Sequence, residues 1–211
     1  MIRLHEHPEV ASVAQRGVCA AGEVVFEVGD PIGLVHIVLS GAVFVRSITL
    51  DGEAAVVDVR GRGDLLDDTA LLDDASQVHY DGANALTDVE FLRLPLSSLD
   101  DLRDSSAAVG AALVAQLTEQ VRRLSSGLVD LHARAAKARA AQRLIVIAET
   151  LARSDMGQTP LTATQQDLAD YVGTTRSTLN ACLQEFERAS ALVSTRGRLT
   201  ITDVQALTRF L

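Results

Sequence analysis

The chain reads as an α+β protein in which an antiparallel β-barrel or sandwich leads to a long helix and then a winged helix-turn-helix. Three observations predict this. Short apolar runs broken by Gly and Asp occupy residues 22–96; a proline-free amphipathic stretch follows; two short amphipathic segments then meet at Gly173. At 211 residues there is room for one large domain or two modest ones. No apolar run approaches the roughly 20 residues of a membrane span. His5, Glu6 and His7 stand where a signal peptide needs an apolar stretch, so a cytoplasmic setting is expected. Cys19 and Cys182 lie far apart without partnered spacing, which argues against a disulfide framework or a CxxC metal site.

In the first part, strands are expected over Val24 to Phe26, Val35 to Leu39, Ala42 to Ile48, Ala54 to Val59 and Val89 to Leu94. Leu50-Asp51-Gly52-Glu53 is a hairpin signal, since Asp-Gly supplies the positive-φ turn. Gly29-Asp30-Pro31, Ser40-Gly41 and Gly61-Arg62-Gly63-Asp64 mark further turns.

A long helix is expected from Asp100 to about His132, because only Gly110 and Gly127 weaken it. Leu113, Leu117, Gln120, Leu124, Gly127 and Leu131 repeat at alternating spacings of four and three, a heptad seam that Val121 and Leu128 widen. Such a seam suits a pair of identical helices, with Gln120 available to set register; packing on the chain's own barrel is the other use. A second helix over Arg134 to Arg153 carries the stripe Leu144, Ile147, Ala148 and Leu151. Lys137, Arg139 and Arg143 near its start suit either phosphate contact or a solvated face.

Next, Leu168 and Val172 define the apolar side of a short helix, and Gly173 supplies its positive-φ end. Thr174 or Thr175 can cap the following helix, which buries Leu179, Cys182, Leu183 and Phe186. Its other face shows Arg176, Ser177, Asn180 and Gln184, a polar surface able to read base edges. Leu192 to Thr202 reads as a hairpin wing with Arg196 and Arg198 flanking Gly197. The net charge of −9 does not exclude a nucleic-acid partner. Residues 1–104 carry 7 basic and 19 acidic side chains, whereas 105–159 carry 7 and 4 and 160–211 carry 5 and 5. What such a partner requires is local positive charge.

Val-Val-Phe-Glu-Val-Gly-Asp (24–30), Ile-Val-Leu-Ser-Gly-Ala-Val (37–43), Leu-Asp-Gly-Glu (50–53) and Arg-Gly-Asp-Leu-Leu (62–66) resemble the cyclic-nucleotide-binding fold. Followed by Asp167-Leu168-Ala169-Asp170-Tyr171-Val172-Gly173-Thr174-Thr175-Arg176, the chain from about Gly22 onward resembles the Crp/Fnr family of bacterial transcription regulators. The resemblance implies a double-stranded β-helix barrel sensor over 1–104, a dimerisation helix over 105–133 and a winged helix-turn-helix over 134–211. It also implies a homodimer on double-stranded DNA, with RNA polymerase as a further candidate partner and no membrane. Arg176, Asn180, Ser177 and Gln184 would contact bases; Thr164, Gln165, Thr174 and Thr175 would grip phosphates; Arg196 and Arg198 would meet the backbone or minor groove. The dimer would close through Leu113, Leu117, Gln120, Val121, Leu124, Leu128 and Leu131. Relatives such as the cyclic-AMP receptor carry Arg-Glu where this chain has Arg176-Ser177, and a further Arg where it has Ala181, so a different operator is expected.

The nucleotide cassette of that family is degenerate here. Asp67 falls where its phosphate-facing glycine would be, Asp68 at its ribose-binding glutamate, and His79, beside Tyr80, at its phosphate-pairing arginine. Two like charges about 4 Å apart repel by roughly 4 kcal/mol at an effective dielectric near 20. Histidine cannot make the bidentate phosphate pair. Cyclic AMP or GMP is therefore not the expected ligand, although Ser125 on the long helix lies where relatives touch it. The loop that includes Asp67, Asp68, Asp73 and Asp74 reads as a solvated acidic surface, with a divalent cation and a haem held by His79 or Cys19 as alternatives. Cys19 belongs to no iron–sulfur cluster motif, and no cofactor is expected. The rival to a DNA-binding regulator is a signalling module sensing a ligand or cyclic nucleotide, whose winged helix is mainly a protein-interaction surface. An enzyme is not expected, since no nucleophile–base pair, metal motif or phosphate loop appears.

Overall fold

The computed structural model describes residues 3–52, 54–66, 78–195 and 197–211. A 3-10 turn η1 (Leu4–Glu6) and helix α1 (Pro8–Val13) precede the strands. These are β1 (Gln15–Cys19), β2 (Val24–Phe26), β3 (Leu34–Ser40), β4 (Ala42–Ile48), β5 (Ala54–Gly61), β6 (Gly82–Ala85) and β7 (Val89–Pro95). They form two antiparallel sheets, ordered β1-β7-β3 and β2-β6-β4-β5. Cys19, Val38 and Phe91 from the first sheet meet Phe26, Val43 and Ala83 from the second in one core. The expected barrel is thus two sheets wrapped on a shared interior. Gly41 alone turns β3 into β4 at φ 86°, and a Cβ there would fall 2.3 Å from the Asp88 carbonyl oxygen.

Five of these strands coincide with the apolar runs. β1 and β6 do not announce themselves, because QRGVC and GANA are poor in β-formers. β6 is small for a packing reason: Ala83 and Ala85 are fully buried between β2 and β4.

Helix α2 (Leu96–Ser105) is separated from α3 (Ala107–Ala133) by Ser106, whose φ of −120° and ψ of 106° are extended. The single helix expected from Asp100 is therefore two, and α1 and α2 pack with the start of α3 under the three-stranded sheet. Helix α4 (Ala136–Ala152) buries its expected stripe of Leu144, Ile147, Ala148 and Leu151. Then come α5 (Gln165–Val172), α6 (Arg176–Arg188), the hairpin β8 (Leu192–Thr195) with β9 (Arg198–Ile201), and α7 (Val204–Thr208). Among the described residues no helix is long and apolar enough to cross a membrane.

Alternation along β4 joins the two halves. Val43 faces the sheet interior, while Ala42 and Phe44 face the other side and share a core with Leu144, Leu168 and Tyr171. Phe44 and Tyr171 meet with ring centroids 5.6 Å apart.

Candidate nucleic-acid interface

The helix-turn-helix is built by its caps. Thr164 Oγ1 accepts from the Asp167 N–H at 3.0 Å, and the Thr164 N–H donates to the Asp167 carboxylate at 2.9 Å, a reciprocal capping box. Gly173 ends α5 at φ 70°, and the Thr174 N–H reaches back to the Ala169 carbonyl at 3.0 Å. Thr175 caps α6, its Oγ1 accepting from the Thr178 N–H at 3.2 Å. Leu179, Cys182, Leu183 and Phe186 are all buried, as their spacing requires.

Arg176, Ser177 and Gln184 are exposed on the opposite face, together with Thr164, Gln165 and Thr175; Thr174 and Asn180 are half-buried. The Ser177 hydroxyl lies 3.0 Å from that of Thr175. Gln165 stands beside this face of α6: its Oε1 accepts from Arg176 Nε and from Asn180 Nδ2, both at 3.1 Å. Arg198 is exposed at the hairpin beside Gly197; Arg196 lies outside the described residues. The structure therefore brings α6, Gln165 and the caps together on one side of the motif.

The basic residues of α4 have protein partners. Arg139 donates to the Val172 carbonyl at 3.2 Å and the Gly173 carbonyl at 2.8 Å, satisfying the open end of α5. Arg143 stacks over the Tyr171 ring at 4.8 Å. Lys137 pairs with Glu185 at 2.6 Å, linking α4 to α6. Of the two uses offered by the sequence, neither describes Arg139 and Arg143, which are scaffold.

In the sheets, His79 is buried and its ring lies flat on Phe26, with centroids 3.9 Å apart and planes 10° apart. His36 and Phe91 extend this aromatic group. Tyr80 and Ser125 are exposed, while Asp67 and Asp68 lie outside the described residues. The Cys19 thiol is buried, and burial first, then Glu23, raises its pKa above the ordinary range. Burial likewise pushes up the Cys182 thiol, aided by Glu185. Neither thiol is in a disulfide.

On α3, Leu113 is buried in the core under the three-stranded sheet, and Gly127 is covered by Arg143. Leu117 and Gln120 are half-buried. The exposed apolar stripe comprises Val114, Val121, Leu124, Leu128 and Leu131, the four largest exposures being 65%, 62%, 58% and 43% at Val114, Val121, Leu128 and Leu124. With Leu117 its spacing alternates three and four, so the heptad is real but rotated by one residue from Leu113.

Three contacts leave no signal in the sequence. One is the Gln165 bridge. A second is the Arg46–Asp167 ion pair, and a third is Asp64, whose carboxylate joins Arg123 at 3.0 Å and Arg153 at 3.4 Å. All join residues with no periodic relation in the chain.

The description of a cyclic nucleotide-binding domain matches residues 17–106, and that of a Crp-like helix-turn-helix domain matches 122–210. A CRP-like cAMP-activated global transcriptional regulator of Mycobacterium tuberculosis is 24% identical over 190 residues, spanning 89% of this chain and 84% of its own. The fumarate and nitrate reduction regulatory protein of Escherichia coli is 27% identical over 196 residues, spanning 88% and 74%. The structure of FixK2 from Bradyrhizobium japonicum superposes with a TM-score of 0.71 at 21% identity, covering 94% of this chain and 97% of that one.

Proposed function

This chain belongs to the Crp/Fnr family of DNA-binding transcription regulators, and from that premise we propose that it reads DNA as a homodimer without control by cyclic AMP. One observation carries the reading: α6 sets an exposed Arg176 above a seat of Leu179, Cys182, Leu183 and Phe186. Two such helices related by a two-fold axis would enter successive major grooves about 34 Å apart. Arg176 takes guanine O6 and N7, Ser177 and Gln184 add weaker base contacts, and Thr164, Thr174, Thr175, Arg196 and Arg198 meet the backbone.

The exposed stripe on α3 supports pairing through that helix, since a second copy would bury it. Independence from cyclic AMP is supported by His79, which is stacked on Phe26 at the position where the resemblance puts a phosphate-pairing arginine. We assign the sensor to 1–104, the pairing helix to 105–133 and the reading domain to 134–211, and place the protein in the cytoplasm, with no enzymatic role and no cofactor. RNA polymerase is its candidate second partner.

Selection of bound duplexes from random-sequence DNA, with and without cyclic AMP, tests this. A shared sequence recovered equally under both conditions is expected. Arg176→Ala should cost about 1–3 kcal/mol on that duplex and relax preference at one guanine. A sequence recovered only with cyclic AMP would overturn the independence.

A further inference from the structure

The chemistry of the Gln165 bridge fixes its own orientation. A guanidinium offers only donors, so the Gln165 atom facing Arg176 Nε must be Oε1. Asn180 meets that same oxygen at 3.1 Å, so the atom it presents must be its nitrogen. Arg176 and Asn180 stand one turn apart on α6, while Gln165 comes from the first turn of α5. One acceptor therefore spans both helices and holds both side chains.

With Nε engaged, Arg176 keeps both terminal nitrogens for the bidentate pair that guanine O6 and N7 demand. The Asn180 oxygen, by contrast, is shut off from solvent and finds no hydrogen-bond partner among the described residues. Adenine recognition by asparagine needs that oxygen and the amide nitrogen together.

We propose that Gln165 is a specificity-determining positioning residue that aims Arg176 at guanine, and that Asn180 anchors Gln165 instead of reading adenine. Gln165 thus leaves the set of phosphate contacts expected from the sequence. A long, freely rotating arginine would lose more rotamer freedom on meeting a base than one already tethered at Nε. This assignment rests on the proposal that α6 enters the groove.

The test uses the full chain and the duplex recovered by selection from random-sequence DNA. Affinity is measured for that duplex and for single-base variants over a salt series, in wild type, Gln165→Ala, Gln165→Glu and Asn180→Ala. Gln165→Ala should lose about tenfold in preference for guanine at the position that Arg176→Ala relaxes. The slope of log K against log salt should stay unchanged, because no phosphate contact is lost. Gln165→Glu keeps the acceptor, so it should keep the guanine preference while binding every sequence more weakly. Asn180→Ala should resemble Gln165→Ala at that same position. Uniform weakening by Gln165→Ala with a slope smaller by about one would make Gln165 a phosphate contact and overturn the proposal. Relaxation of an adenine position by Asn180→Ala would overturn it too. Recovery of no shared sequence by wild type sinks the groove-reading proposal and this one with it; an unchanged guanine preference in Gln165→Ala sinks this one alone.

Discussion

The Arg46 guanidinium on β4 lies 2.9 Å from the Asp167 carboxylate in the first turn of α5. Asp167 also receives the Thr164 N–H, so one side chain both caps the helix-turn-helix and ties it to the four-stranded sheet. Beside it, Phe44 and Tyr171 pack ring to ring. The ion pair is mostly hidden, at 24% and 12% side-chain exposure, and a charged hydrogen bond of that kind contributes about 1.5–3 kcal/mol. Each buried ring contributes a similar amount by area alone, and a cavity left in its place adds to the loss. The apolar contact should therefore outweigh the ion pair. Arg46→Ala is expected to lower unfolding free energy by about 1–3 kcal/mol and Phe44→Ala by about 3–5 kcal/mol, measured by denaturant titration.

The stripe on α3 separates two kinds of leucine. Val121→Glu with Leu128→Glu places charges where a second copy should pack, and should shift sedimentation from dimer to monomer with the fold intact. Leu113→Ala should leave assembly alone and cost about 2–5 kcal/mol in stability, since Leu113 sits in the core under the three-stranded sheet of its own chain.

Gly173 holds a left-handed φ of 70°, and a Cβ there would come 2.5 Å from Leu131 Cδ2. The contact is with the movable end of a side chain, whereas the backbone strain cannot relax. Gly173→Ala should lower stability by about 1–3 kcal/mol. Adding Leu131→Ala should recover only the steric share, read as a partial return of the thermal midpoint.

Burial raises the Tyr171 phenol well above its ordinary range, against a smaller opposing pull from Arg143. A raised folded-state pKa stabilises the protein fully below the unfolded value of about 10, and that contribution is lost as pH climbs past it. Stability should fall across alkaline pH, and Tyr171→Phe should flatten that fall in denaturant titrations at stepped pH.

Much of the helix-turn-helix is legible in the sequence. Leu179, Cys182, Leu183 and Phe186 declare a helix seat by spacing alone, and Gly173 declares the turn through its freedom at positive φ. The Asp51-Gly52 hairpin is equally local. The α3 seam shows the limit. Its heptad period was visible, yet Leu113 and Val114 differ by only one residue, and the packed neighbour decided which of them faces out.

What the sequence determined by itself is what neighbouring residues decide together: the period of each helix, its caps, its turns and the wet side of α6. Tertiary structure decided the rest. Gln165 became a clamp, Arg139 a helix end-piece, Asp167 a tie to β4 and His79 a stacked core ring because partners distant in the chain arrived beside them. A donor or charge carries no mark of its partner in the sequence; only packing brings the two within hydrogen-bonding reach, and that sets its role.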